Sequence, residues 1–215
     1  MKEYDAYLFD ADGTLMDTRE IICQSFARMG ERMKAALPPR DYIESTIGQP
    51  VEVQLRQLLG ENHDEAYYER AREFYRDHME RIYPKYLRLF PGTMEMLTAL
   101  KAKGKKMAVV TSRRRKSLKE FFATLGIWDF FDTSVTPEDV QKPKPDPEPA
   151  LLACARLGVP PERTVFVGDA LFDIASGNAA GMDTAYVEWG GMEYLGWPVQ
   201  PDFVANAMSD LLPEG

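Results

Sequence analysis

The stretch Ala6-Tyr7-Leu8-Phe9-Asp10-Ala11-Asp12-Gly13-Thr14-Leu15 decides the reading of the whole chain. Four apolar residues run straight into an acid and then into the turn residues Asp12 and Gly13, the pattern of a short buried strand that feeds a loop. Asp10 and Asp12 stand at i and i+2, so alternate projection from an extended segment turns both carboxylates to one side. Taken alone, the pair also fits a polar turn that caps the helix after it.

Residues 16–87 read as helical. Asp17 and Glu20 have capping-box spacing, and Ile22, Phe26, Met29, Met33 and Leu37 repeat every three to four residues before Pro38-Pro39. A second pattern carries Leu55, Leu58 and Leu59 up to Gly60. A third starts after Asp64, carries Tyr67, Ala71, Phe74, Tyr75 and Ile82, and is expected to stop at Pro84. From Phe90-Pro91-Gly92 onward, helices alternate with short strands, as right-handed crossovers in a parallel sheet require. Helices are predicted at 93–103, over Leu118 to Leu125, at 147–157, at 172–180 and around Met208 to Leu212. Strands are predicted at 106–111, near Ser134-Val135, at 164–167 and at 184–187. The expected architecture is α/β: a doubly wound parallel sheet in a Rossmann-like core, formed by residues 1–15 and 88–215, with an inserted α-helical cap over 16–87.

Strand ends in such sheets gather ligands. Asp169 and Asp173 follow Val165-Phe166-Val167-Gly168, which makes a second acidic pair at a second strand end, though Asp169 also suits a helix cap. Four carboxylates in one crevice repel one another by roughly 4 kcal/mol per pair at about 4 Å and an effective dielectric near 20. Their pKa values must rise steeply, or a cation must sit among them. Oxygen donors without His or Cys select a hard ion, for which Mg2+ is the expected cofactor. Thr111 and Ser112 close the Val109-Val110 strand with hydroxyls ahead of a helix N-terminus, a setting for an anion as well as an ordinary cap. In Gln141-Lys142-Pro143-Lys144-Pro145-Asp146-Pro147, the prolines are expected to hold an extended loop in a fixed shape and so to position a cation.

The bulk properties narrow the partners. The 215 residues are 45% hydrophobic, enough for a full core, and 26 Lys+Arg against 34 Asp+Glu give a net charge of −8. That surface argues against nucleic acid and anionic lipid, and no apolar run is long enough to span a membrane. Cys23 and Cys154 lie in apolar helical patterns with no partner motif, as reduced core residues of a cytoplasmic protein do. His63 and His78 lack metal-ligand spacing.

Together these motifs resemble the haloacid dehalogenase superfamily in its phosphatase branch, over nearly the whole chain. The resemblance implies that Asp10 is the nucleophile and Asp12 the general acid and base. It implies that Thr111 binds the transferring phosphoryl group with Ser112 beside it, and that Asp10, Asp12 (through its main-chain carbonyl) and Asp169 hold magnesium, with Asp173 orienting them. The family's lysine occurs in either of two motif forms, and both are satisfied here; we assign it to Lys142, with Lys144 as the alternative. Arg113, the first residue of a basic run, is close enough in sequence to meet a second anionic group on the substrate. The details are similar to phosphoglycolate phosphatases and to bacterial pyrophosphatases of the same branch. The implied activity is hydrolysis of a small phosphorylated metabolite through an aspartyl phosphate, by a monomer or homodimer. A β-phosphoglucomutase shares the core but needs an activating sugar bisphosphate. A phospho-receiver module carries its aspartate on a later strand and has no helical insert.

Overall fold

The computed structural model describes residues 2–190 and 194–213. The chain divides into two compact units, Met1–Asp17 with Leu89–Gly215, and Thr18–Arg88.

The first unit is built on a six-stranded sheet of β1 (Ala6–Phe9), β4 (Lys106–Val110), β5 (Thr133–Val135), β6 (Thr164–Gly168), β7 (Asp183–Val187) and β8 (Phe203–Ala205). The strand order is β5-β4-β1-β6-β7-β8 and every pairing is parallel. β1 is therefore central, with Ala6 facing Lys106 on one side and Thr164 on the other. All four of its residues are buried, as expected of a strand covered on both faces. Ala6 and Leu8 join the cluster of Ala108, Val110, Phe166, Ala153 and Leu157. Tyr7 and Phe9 project to the opposite face, where their rings lie 6.2 Å apart. The helices of this unit are α5 (Thr93–Ala102), α6 (Arg115–Leu125), α7 (Glu148–Leu157) and α8 (Leu171–Ala179). The chain builds outward from β1 through β4 to β5, then crosses to β6 on the other side, so the topological switch lies beside β1.

Two short strands, β2 (Met16–Asp17) and β3 (Arg88–Leu89), form a separate two-stranded sheet. The second unit holds α1 (Arg19–Met33), α2 (Arg40–Ser45), α3 (Val51–Leu59) and α4 (Glu65–Tyr86). Within it, Phe26 of α1 packs on Tyr75 of α4, with ring centroids 4.5 Å apart. Asp64 caps α4 by accepting from the Tyr67 N–H at 2.8 Å.

Several expectations are corrected. Thr18 occupies the N-cap of α1 without a side-chain cap bond, so the Asp17/Glu20 capping box does not form. That helix ends at Met33, where Lys34 turns left-handed at φ 52°, instead of running to Leu37. α4 continues through Pro84 to Tyr86, because a proline in the last turn removes only one backbone donor. The terminal helix is a single 3-10 turn at Met208–Leu211. Both cysteines are free and buried. Among the described residues, no helix is long and apolar enough to cross a membrane.

Candidate active site

β1 delivers Asp10 to the centre of the sheet. Its N–H donates to the Val167 carbonyl at 2.9 Å, which carries the β1–β6 ladder one residue further, and the side chain is buried. The loop after it folds back on itself: Leu15 and Met16 both donate to the Ala11 carbonyl at 3.1 Å, and Gly13 donates to Met16 at 2.9 Å. Gly13 adopts φ +83°, and a Cβ there would fall 2.2 Å from Oδ2 of Asp169. Only glycine allows this loop to close against that carboxylate.

β6 delivers the second pair. Asp169 accepts from the Thr14 hydroxyl at 3.1 Å, and the Thr14 carbonyl in turn accepts from the Trp189 indole at 2.9 Å. On its other side Asp169 lies against Gly190, where a Cβ would stand 2.1 Å from the Asp169 Cβ. Asp173, in the first turn of α8, accepts the Ala170 N–H on Oδ2 at 3.1 Å. These contacts of Thr14, Trp189 and Gly190 have no motif of their own. Thr14 lies in the motif stretch after β1, whereas Trp189 and Gly190 follow β7 (Asp183–Val187), which carries no motif, so the sequence offers no signal for them.

The lysine that enters this cluster is Lys144, not Lys142. Lys144 is 5% exposed, and its ammonium donates to Asp10 Oδ1 at 2.7 Å, Asp173 Oδ1 at 2.6 Å and the Val110 carbonyl at 3.2 Å. Three acceptors match its three protons. The Lys142 side chain is 74% exposed, with its nearest acid, Asp146, 3.8 Å away, and its N–H caps onto Glu148 at 2.9 Å. The physical reason is a turn: Asp146 N–H donates to the Pro143 carbonyl at 3.0 Å, so the segment is bent where alternating prolines suggested an extended run.

Oxygens of Asp10, Asp169 and Asp173 lie within 4.8 Å of one another, and all three residues are buried. Burial, reinforced by Asp173 and Asp12, pushes the Asp10 carboxyl up to about 7 against the opposing pull of Lys144. Burial, with Asp10 and Asp173 beside it, raises Asp169 well above the ordinary carboxylate range. Burial alone would lower the Lys144 ammonium, but the charges of Asp10 and Asp173 more than offset it and its pKa is raised. Three buried acids against one buried ammonium leave the cluster short of positive charge. An all-oxygen donor set with that deficit fits a hard divalent cation.

Asp12 faces a different partner. Its carboxylate forms a bidentate ion pair with Arg113, with Nε to Oδ2 at 2.8 Å and Nη2 to Oδ1 at 2.5 Å. Thr111 and Ser112 follow the end of β4, and Thr111 is fixed by its N–H to the Val135 carbonyl at 3.1 Å. Its hydroxyl oxygen accepts the Arg113 N–H at 3.1 Å. The ends of β1 and β6 and the proline loop between β5 and α7 thus bring together Asp10, Asp169, Asp173 and Lys144, with the Asp12–Arg113 pair next to Thr111 after β4.

A family profile for haloacid dehalogenase-like hydrolases matches residues 7–187. The chain belongs to this family. Among haloacid dehalogenase-like hydrolases it is 35% identical over 213 residues to pyrophosphatase PpaX of Bacillus velezensis, covering 98% of this chain and 96% of that one. A crystal structure from Bacteroides fragilis, named "Putative haloacid dehalogenase-like hydrolase", superposes with a TM-score of 0.89 at 30% identity, covering 98% of this chain and all (100%) of that one. The β-phosphoglucomutase of Clostridium difficile superposes with a TM-score of 0.84 at 20% identity, over 97% of this chain and 93% of that one, and shares the fold. The protein is a phosphatase of the haloacid dehalogenase-like family.

Proposed function

We propose that the protein hydrolyses a small phosphorylated metabolite, a phosphoglycolate-like monoester or pyrophosphate, through a phosphoryl group carried on Asp10. The observation that carries the reading is the Lys144 ammonium at 2.7 Å from Asp10, at the carboxyl end of the central strand. A nucleophilic carboxylate meeting an anionic phosphoryl group needs fixed positive charge around it, because catalysis of phosphoryl transfer consists mainly of positioning and charge neutralisation.

Asp10 attacks phosphorus with one carboxylate oxygen; the new O–P bond forms as the bond to the leaving oxygen breaks. Asp12 gives that oxygen a proton. In the second half, Asp12 takes a proton from water, the water oxygen bonds to phosphorus, and the Asp10–phosphorus bond breaks to release phosphate and the free carboxylate. Lys144, in place of Lys142, meets phosphoryl oxygens together with Thr111 and Ser112. Asp10, Asp169 and the main-chain carbonyl of Asp12 would hold magnesium, which supplies the positive charge that the cluster lacks. Asp173 orients Lys144, since its two oxygens are engaged by that ammonium and by the Ala170 N–H.

The name of the Bacillus relative supports the pyrophosphate arm of this reading. Two buried free thiols suit a reducing compartment, and we read the protein as cytoplasmic. Phosphate release from pyrophosphate, phosphoglycolate, sugar phosphates and nucleotides, each with magnesium and with chelator, tests the proposal. It predicts turnover of a small phosphoester or anhydride that the chelator abolishes.

A further inference from the structure

The Asp12–Arg113 pair is hard to reconcile with an acid that is ready to act. Its geometry occupies both carboxylate oxygens at 2.8 and 2.5 Å, and the side chains are only 12% and 6% exposed. The guanidinium also lies over the Phe121 ring, 4.2 Å from its centroid, so a planar apolar floor holds it in register. A guanidinium paired to both oxygens at once holds the Asp12 carboxylate turned toward Arg113. Something must loosen the grip before Asp12 can serve.

The place of Arg113 indicates what that is. Its N–H donates to Thr111 Oγ1 at 3.1 Å, which fixes the residue at the strand end where the phosphoryl group is to bind. Its guanidinium sits one hydrogen bond from Asp12, so it is next to any oxygen that Asp12 could protonate. A leaving group that carries its own anion a bond or two from the bridging oxygen brings that charge to Arg113.

We propose that Arg113 is a specificity-determining residue that selects substrates with a second anionic group, phosphate or carboxylate, on the leaving side. That group exchanges into the guanidinium fork in place of Asp12 and sets the Asp12 carboxyl free at the leaving oxygen. No bond is made or broken in the exchange; one charge-assisted pair replaces another. This inference rests on the reading of Asp12 as the acid and base, and it deepens that reading by naming the feature of the substrate that the site requires.

The test compares the full-length protein with Arg113→Gln and Arg113→Lys. Titration calorimetry in the presence of magnesium uses methylenediphosphonate, phosphonopropionate and methylphosphonate, none of which is turned over. Steady-state rates use pyrophosphate, phosphoglycolate and p-nitrophenyl phosphate. R113Q is expected to lose at least about tenfold in the affinity ratio of the two-anion probes to methylphosphonate, the size expected for one charge-assisted pair. The kcat/KM preference for two-anion substrates should fall in parallel, mainly through KM, and R113K should recover part of it as a point charge without the fork. The two probes tell a phosphate-selective fork from one that accepts a carboxylate. Equal losses on one-anion and two-anion ligands would overturn the inference and leave Arg113 as a structural residue. So would unchanged ratios. The wild-type protein failing to release phosphate from every substrate would instead sink the phosphatase mechanism, and the calorimetric ratio would still decide the role of Arg113.

Discussion

The ammonium of Lys144 stands 2.7 Å from Oδ1 of Asp10, although the two residues are 134 positions apart in the chain and a second lysine lies two positions away. The site depends on that pairing, because it is the one fixed cation within the acidic cluster among the described residues.

Replacing Lys144 by Met leaves Asp10 and Asp173 buried without their partner. Breaking a buried ion pair costs about 3–5 kcal/mol, so a clear loss of unfolding free energy in denaturant is expected. Phosphatase activity should fall at least about a hundredfold, the equivalent of about 3 kcal/mol of lost charge stabilisation. Lys142→Met, at an exposed position, should match the wild-type protein in both measurements. The reverse ranking of the two variants would return the role to Lys142.

Gly190→Ala tests the wall behind Asp169. The added methyl group would lie 2.1 Å from the Asp169 Cβ, an overlap that backbone or carboxylate must relieve by moving. A loss of roughly 1–3 kcal/mol in stability is expected, as for other overpacked sites, together with weaker magnesium affinity by calorimetry. A variant with unchanged metal affinity would show that Asp169 is not positioned from this side.

The raised Asp10 carboxyl predicts how pH and metal interact. With its folded pKa pushed up from 3.8 to about 7, the native state binds more protons than the unfolded chain between those values. Metal-free stability therefore falls as pH rises through that window. Magnesium binds the ionised form and removes the penalty, so the stabilisation that it confers should grow from about pH 5 to about pH 7 and then level off. Melting temperatures with chelator and with saturating magnesium across that range check the sign. A magnesium increment that shrinks as pH rises would contradict the assignment.

Trp189→Phe removes the indole N–H that the Thr14 carbonyl accepts at 2.9 Å and leaves a buried acceptor without its donor. A loss of about 1–3 kcal/mol is expected from the unsatisfied carbonyl. A fall in kcat should accompany it, because Thr14 also donates to Asp169. Wild-type stability and kcat in this variant would remove Trp189 from the support of the site.

The parallel core was legible because its strands are short apolar runs ended by acids or hydroxyls, each succeeded by a helical pattern. β1 shows why: Ala6-Tyr7-Leu8-Phe9 is apolar on both faces, which only a doubly covered strand tolerates. α2 and β8 left no readable signal because six and three residues are too few to establish a period. The choice between Lys142 and Lys144 turned on whether the proline loop is extended or bent. Prolines at every second position fix φ without saying which ψ the intervening residues take. The Asp12–Arg113 pair could not be read at all, since it joins loops after two different strands, β1 and β4. Spacing along the chain carries no information about that distance.

The central claim is that the phosphoryl group passes through Asp10, and trapping it there is the most direct measurement. The protein is quenched in acid during turnover of its best substrate, treated with borohydride to reduce any acyl phosphate, and digested for mass spectrometry. The account predicts homoserine at position 10, dependent on magnesium, absent from Asp10→Asn and still detectable in Asp12→Asn, where both half-reactions are slowed. Reduction at another aspartate, or none at Asp10 while phosphate is being released, would contradict it.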